Sequence, residues 1–256
     1  MPQNNITIVI PARMASSRYP GKPLVKIMGL PLIEHVRRRA LLAKEAQLVV
    51  VATCDTVIKD AVEKEGGKAI MTKDSHERCT DRIEEAMETL SGDIVVMVQG
   101  DEPLLMPDSI TAVVAPLLAD PSLEIVNLLS KLDSADDYAN QNIVKAVCNF
   151  KGDLIYLTRS PIPVFRKSMS VPVYRQTGIM AFRKEALNKF SALPETALEI
   201  VESVDMLRAI EHGMRIAGVV VDYATIGVDR PVDVALVESA LQNDAVQKKL
   251  FQSIMS

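Results

Sequence analysis

Arg13, Arg18 and Lys22 crowd one polar segment, Pro11-Ala-Arg-Met-Ala-Ser-Ser-Arg-Tyr-Pro-Gly-Lys-Pro-Leu24, with two hydroxyls among them. Such a set of donors suits several phosphate oxygens at once. It is not a Walker A loop, because Gly21-Lys22 is followed by Pro23 and the upstream glycine is missing. Nor is it a dinucleotide fingerprint, since GxGxxG is absent. An isolated trio of cations reads as a solvated basic loop; its place directly after a strand-like run turns the reading toward an anion site.

Two acidic segments complement it. In Val98-Gln-Gly-Asp-Glu-Pro103, Asp101 follows Gly100, which lets a ligand come close, and the carboxylate suits a hard cation. A plain strand-ending turn is the alternative. In Gly227-Val-Asp-Arg-Pro231, Asp229 either caps the helix that begins at Pro231 or joins Asp101 on the same cation; the sequence leaves both open. His76-Glu-Arg-Cys-Thr-Asp-Arg82 leads into a helix whose N-terminus can face an anion or a base. Arg159-Ser-Pro-Ile-Pro163 is a rigid turn carrying one cation, structural or functional. His35 and His212 fall in helical stretches and read as surface residues, leaving His76 as the one histidine near a site. With no GxSxG, HExxH or Cys/His pair, neither nucleophilic hydrolysis nor zinc catalysis has support.

These groups need a scaffold, and the apolar pattern provides one. Ile6 to Ile10, Gln47 to Thr53 and Asp93 to Gln99 are continuous apolar runs of strand length, as expected for the central strands of a covered parallel sheet. Pro31 to Lys44, Val57 to Glu65 and Thr80 to Leu90 carry apolar residues at helical spacing between them. Strand–helix alternation predicts a doubly wound α/β sheet, whose ligands sit beyond the carboxyl ends of the strands. From Leu132 to Arg183 the texture changes to short strands at Asn142 to Cys148, Asp153 to Thr158 and Val171 to Phe182. A helix over Thr196 to Glu211, a strand over Ile216 to Val221 and a last helix from Pro231 follow. The expected division is an α/β core over 1–131 and 184–256, with a smaller β-rich region over 132–183.

Composition closes off several classes. At 256 residues, 48% hydrophobic and 24% charged, the chain can bury its own core without disulfides or a structural metal. A formal charge of −4 gives no basic excess for nucleic acid, and no apolar run approaches the ~18–20 residues of a membrane span. Cys54, Cys79 and Cys148 lack metal-type spacing and fit reduced thiols. The polar opening lacks the basic start and apolar stretch of a secretory signal, so a cytoplasmic protein is expected.

Taken in order, the motifs resemble those of the CMP-Kdo synthetases, the 3-deoxy-manno-octulosonate cytidylyltransferases, over nearly the whole chain. The opening pattern IPAR-x-x-S-x-R-x-PGKPL runs from Ile10 to Leu24, QGDEP from Gln99 to Pro103, the SR-x-x-IP motif survives as Arg159 to Pro163, and GVD-x-P-x-D spans Gly227 to Asp233. The resemblance implies a Rossmann-like fold with a smaller dimerisation region, a homodimer, and Mg²⁺-dependent transfer of CMP from CTP to the anomeric hydroxyl of an acidic keto-sugar. It implies that Arg13, Lys22 and Arg18 hold the triphosphate. Pro11, Ala12, His76, Arg78, Thr80 and Gly100 would border the nucleotide, and Asp101 and Asp229 match the magnesium carboxylates. Gln99, Arg159, Gln176, Glu202 and Asp205 are implied for the sugar. The chain departs from the family's pattern at Arg78-Cys79-Thr80, where Ser-Gly-Thr is usual, at Gln176 and Met180, where His and Tyr are usual, and at Asp205-Met206, where Glu-Gln is usual. The substrate expected is therefore Kdo or a related 3-deoxy-ulosonic acid. A nucleotide-sugar glycosyltransferase and a non-catalytic nucleotide-binding subunit are the competing expectations; the first would normally carry an Asp-x-Asp motif, absent from Asp101-Glu102-Pro103.

Overall fold

The β-branched run Ile6–Ala12 (β1) is apolar on both faces and buried along its whole length, so it must lie inside a sheet covered on both sides. The computed structural model describes residues 5–16, 18–132, 134–166, 171–223 and 226–255. Contacts divide the chain into two units, Met1–Thr111 with Thr225–Ser256, and Ala112–Ala224.

In the first unit β1 is followed by a single 3₁₀ turn at Lys22–Leu24 and by the small antiparallel pair Lys26–Ile27 (β2) and Leu30–Pro31 (β3). Leu32–Ala40 (α1), Leu48–Thr53 (β4), Thr56–Lys64 (α2), Lys68–Met71 (β5), Cys79–Glu88 (α3) and Ile94–Val98 (β6) continue the alternation. β1 lies between β6 and β4, β5 adds beyond β4, and every one of these pairings is parallel. The carboxyl ends of β1 and β6 are therefore neighbours, which places the Arg13 and Asp101 loops side by side. Pro107–Ala119 (α4) follows.

The second unit contains Ile125–Lys131 (β7), Ala135–Ala139 (α5), Lys145–Cys148 (β8), Leu154–Thr158 (β9), Tyr174–Arg183 (β10), Lys184–Ser191 (α6), Ala197–Glu202 (α7), Met206–Glu211 (α8) and Ile216–Val221 (β11). β10 runs antiparallel to β7 and β8, β8 antiparallel to β9, and β11 parallel to β7. The helix expected over Thr196 to Glu211 is two short helices, because Ser203 between them adopts φ 53°. Pro231–Asn243 (α9) and Ala245–Met255 (α10) return to the first unit, with the single helix expected from Pro231 interrupted at Asp244.

His35 corrects the surface reading. It is fully buried on α1, its ring stacks on Phe251 of α10 at 5.5 Å and 13°, and its Nε2 donates to Ile27 O at 2.9 Å. Burial outweighs that hydrogen bond and lowers its pKa to about 4, so the ring is neutral at physiological pH. His212 is exposed, as expected.

Candidate functional site

The cationic segment is shaped before any charge is considered. Asp55, just ahead of α2, accepts the Met14 N–H at 2.8 Å, while Met14 O accepts Ser16 N–H and Gly21 N–H, both at 3.0 Å. Gly21 adopts φ 75°, a left-handed conformation that costs glycine little, and this turns the chain into the 3₁₀ turn that starts with Lys22. After β6, Gly100 passes so close to β1 that a Cβ would sit 2.7 Å from Pro11 O. Any side chain there would force the two strand ends apart.

The charged groups then meet. Lys22 Nζ lies 2.7 Å from Asp101 Oδ2 and 3.5 Å from Asp229 Oδ1, and Arg18 Nη2 lies 2.8 Å from the same Asp229 oxygen. The backbone couples the two acidic loops, since Asp101 O accepts the Val228 N–H at 2.9 Å. Asp229 is not the helix cap: Asp233 Oδ2 accepts the N–H groups of Asp229 and Arg230, each at 2.8 Å, and satisfies the start of α9. The Asp229 carboxylate instead faces Lys22 and Arg18 at the cavity, which excludes the helix-cap alternative.

Side-chain exposure rises from 12% for Lys22 and 28% for Asp101 to 42% for Asp229 and 51% for Arg18. The Arg18–Asp229 pair, accessible on both sides, contributes at most about 1 kcal/mol, so a stronger anion or cation can displace it. These side chains border a cavity of about 240 Å³ lined also by Pro11, Ala12, Arg13, Gln99 and Gly100. Arg13 is exposed at its edge and pairs with no carboxylate among the described residues. A smaller cavity of about 70 Å³ shares Pro11, Ala12 and Arg13 and adds His76, Arg78 and Arg82. His76 Nε2 bonds Glu85, and Arg82 Nη1 donates to Thr72 Oγ1 at 2.6 Å, so this wall is fixed by its own side chains. Thr80 is fully buried on α3 and lines neither cavity.

The expected sugar residues other than Gln99 fall in the second unit. Arg159 Nε donates to Glu202 O at 2.7 Å, Nη1 to Gln141 O and Asn142 O, and Nη2 to Ser203 O. The Glu202 carboxylate accepts from Thr158 Oγ1 at 2.6 Å, Arg159 N at 2.8 Å and Tyr156 OH at 3.3 Å. Burial raises its pKa, but these hydrogen bonds outweigh burial and hold it below the usual carboxylate range. Gln176 Nε2 donates to Asn127 Oδ1 at 2.8 Å. Asp205 immediately precedes α8.

The sequence reading passed over Cys79, which lines both cavities, and Asp55, which holds the Met14 turn. Cys79 stands between two residues it did select; Asp55 acts on a backbone amide far away in sequence and carries no local signal.

Residues 7–216 match the family model described as cytidylyltransferase. A 3-deoxy-manno-octulosonate cytidylyltransferase of Pelobacter propionicus is 42% identical, over 96% of this chain and all of its own length. One from Geobacter sulfurreducens is 39% identical, over 93% of this chain and all of its own. A CMP:2-keto-3-deoxy-manno-octonic acid synthetase solved with CTP superposes with a TM-score of 0.89 at 39% identity, over 94% of this chain and 99% of that one. Among the described residues no helix is long and apolar enough to cross a membrane.

Proposed function

We propose, for a chain that belongs to the 3-deoxy-manno-octulosonate cytidylyltransferase family, that it transfers CMP from CTP to the anomeric hydroxyl of Kdo or a related 3-deoxy-ulosonic acid and releases pyrophosphate. The observation that carries the reading is Lys22 lying between Asp101 and Asp229 with Arg18 on the far carboxylate. This is a cluster of matched charges at the ends of parallel strands, held together weakly enough to open for a metal-bound triphosphate.

Two carboxylates facing one ammonium already form a cradle for a cation. Mg²⁺ takes one or two protein carboxylates and fills its remaining positions with phosphate oxygens and water, so Asp101 and Asp229 fit it as ligands. Bound there, Mg²⁺ supplies positive charge to the phosphate oxygens as negative charge develops on them. Lys22 and Arg18 exchange their carboxylate partners for phosphate oxygens, and Arg13 adds a third cation at the cavity edge. Pro11, Ala12 and the His76–Arg78 wall border the base, and Gly100 keeps the floor open.

The nucleophile is the sugar's own hydroxyl. It attacks the α-phosphorus as the bond to pyrophosphate breaks and gives up its proton to solvent, so the chain needs no nucleophilic serine or cysteine. Gln99, Arg159, Gln176, Glu202 and Asp205 form the proposed sugar-binding set, with Arg159 and Glu202 preorganised by their hydrogen bonds. An exposed apolar face of the second unit, around Phe150, Val171 and Val220, supports a homodimer.

The test is pyrophosphate release from CTP and Mg²⁺ with Kdo, amino-Kdo and nonulosonic acids offered in parallel. Release with one of the 3-deoxy-octulosonic acids is expected. CTP binding with no release from any sugar would reduce the chain to a nucleotide-binding subunit.

A further inference from the structure

Arg39 lies on α1 with no exposed surface, yet two of its three guanidinium nitrogens, Nε and Nη2, have no partner among the described residues. Burial alone lowers its pKa to about 10, with no carboxylate raising it. An aliphatic side chain of similar length would fill this space without burying an uncompensated charge. What an aliphatic residue cannot do is the work of Nη1, which donates to Leu105 O at 3.1 Å and to Gln247 Oε1 at 2.7 Å. The Gln247 amide is oriented by that contact, and its Nε2 donates to Leu104 O at 3.2 Å and contacts Met106 Sδ at 3.3 Å. Side chains from α1 and α10 thus grip consecutive carbonyls of one loop.

That loop carries Asp101. Leu105 N–H donates to Glu102 O at 3.0 Å and Glu102 N–H to Gln99 O at 3.3 Å, so the backbone from Gln99 to Leu105 is a chain of linked turns. The Asp101 O to Val228 N–H bond passes the constraint on to the Asp229 loop. Neither Arg39 nor Gln247 lines the cavity. We propose that Arg39 and Gln247 are positioning residues for the reaction, setting the separation of the Asp101 and Asp229 carboxylates through the Leu104–Leu105 backbone. This rests on the reading of those carboxylates as the metal-binding pair.

Three measurements on Arg39→Met test it: thermal stability, the Mg²⁺ dependence of pyrophosphate release, and amide exchange at Leu105 and Val228. Expected are an unchanged or raised melting temperature, faster exchange at both amides, a kcat lowered about tenfold or more, a higher Mg²⁺ half-saturation and a nearly unchanged KM for CTP. Arg39→Lys, whose one nitrogen can meet both acceptors, should recover most of the activity. If Arg39→Met fails to fold, Gln247→Leu removes the grip on Leu104 and one acceptor of the buried charge; it should melt lower and show the same faster exchange, lowered kcat and raised Mg²⁺ half-saturation. Lys248→Ala, exposed on the same helix, should change nothing. Normal kcat and Mg²⁺ dependence in a folded variant overturns the proposal, as does a loss of activity that only tracks a loss of stability. A wild-type protein that binds Mg²⁺·CTP but releases no pyrophosphate would sink the cytidylyltransferase reading instead. The exchange rates and Mg²⁺-dependent CTP binding of the variants would then still decide the positioning role.

Discussion

In the first unit Arg18 and Lys22 pair with carboxylates across an open cavity. In the second unit Arg159 is closed on main-chain carbonyls while Glu202 gathers an N–H and two hydroxyls. Both clusters bring together basic and acidic side chains, Arg18, Lys22 and Arg159 each in a segment that follows a strand, and nothing local in the sequence tells these cations apart. The partners differ. Charges that hold one another in a wet cleft lose little when a ligand replaces one of them, whereas charges bonded to the backbone hold loops in place and are costly to release. Substitutions in the first cluster should therefore act on rate, and those in the second on stability.

The largest effect is expected from Asp101→Asn, which keeps the side-chain shape and removes the charge. Turnover measured by pyrophosphate release should fall about 10²–10³-fold while the melting temperature stays within a degree or two of wild type. A variant that melts early but turns over normally would erase the contrast between the two clusters.

Next comes acid, through a buried group of the first unit that belongs to neither cluster. Folded His35 titrates near 4 instead of 6.5, so between those values the unfolded chain takes up a proton that the folded chain refuses. Its contribution to stability is complete above pH 6.5 and is lost as pH falls toward 4, by about 3 kcal/mol. Urea midpoints followed by circular dichroism should decline through that window. His35→Leu should flatten the decline, and an equal slope in the variant would assign the acid sensitivity elsewhere.

The smallest effect is Arg159→Met. Losing the carbonyl grip should cost about 1–3 kcal/mol and lower the melting temperature by several degrees, with Mg²⁺·CTP binding unchanged. Unaltered melting together with a raised KM for the sugar would sharpen the comparison in the other direction, by making Arg159 chiefly a ligand residue.

Where structure follows from contiguous apolar runs, the sequence announces it: β1, β4 and β6 are buried because both faces are apolar, and the loops after β1 and β6 must then be adjacent. β7 was not legible, because Asn127 and Ser130 interrupt its apolar pattern although both are fully buried. Asn127 is satisfied there by Leu128 O and Ile179 O. The break between α7 and α8 falls at a serine with positive φ, where no glycine warns of it. His35 was misread because the ring that covers it, Phe251, comes from the far end of the chain. In the site, motif order was enough to select Lys22, Asp101 and Asp229. The coupling of the two acidic loops was not legible, since a main-chain hydrogen bond leaves no trace in residue types.

The first unit is discontinuous: Asp229, α9 and α10 join it only after the second unit has intervened in the chain. During translation at about 5–20 residues per second, a nascent polypeptide therefore carries Lys22 and Asp101 for roughly ten seconds before their third partner leaves the ribosome. Throughout that interval α1 lacks the helix whose Phe251 stacks on His35, so the apolar seam around His35 stays uncovered for as long as the charged cluster is incomplete.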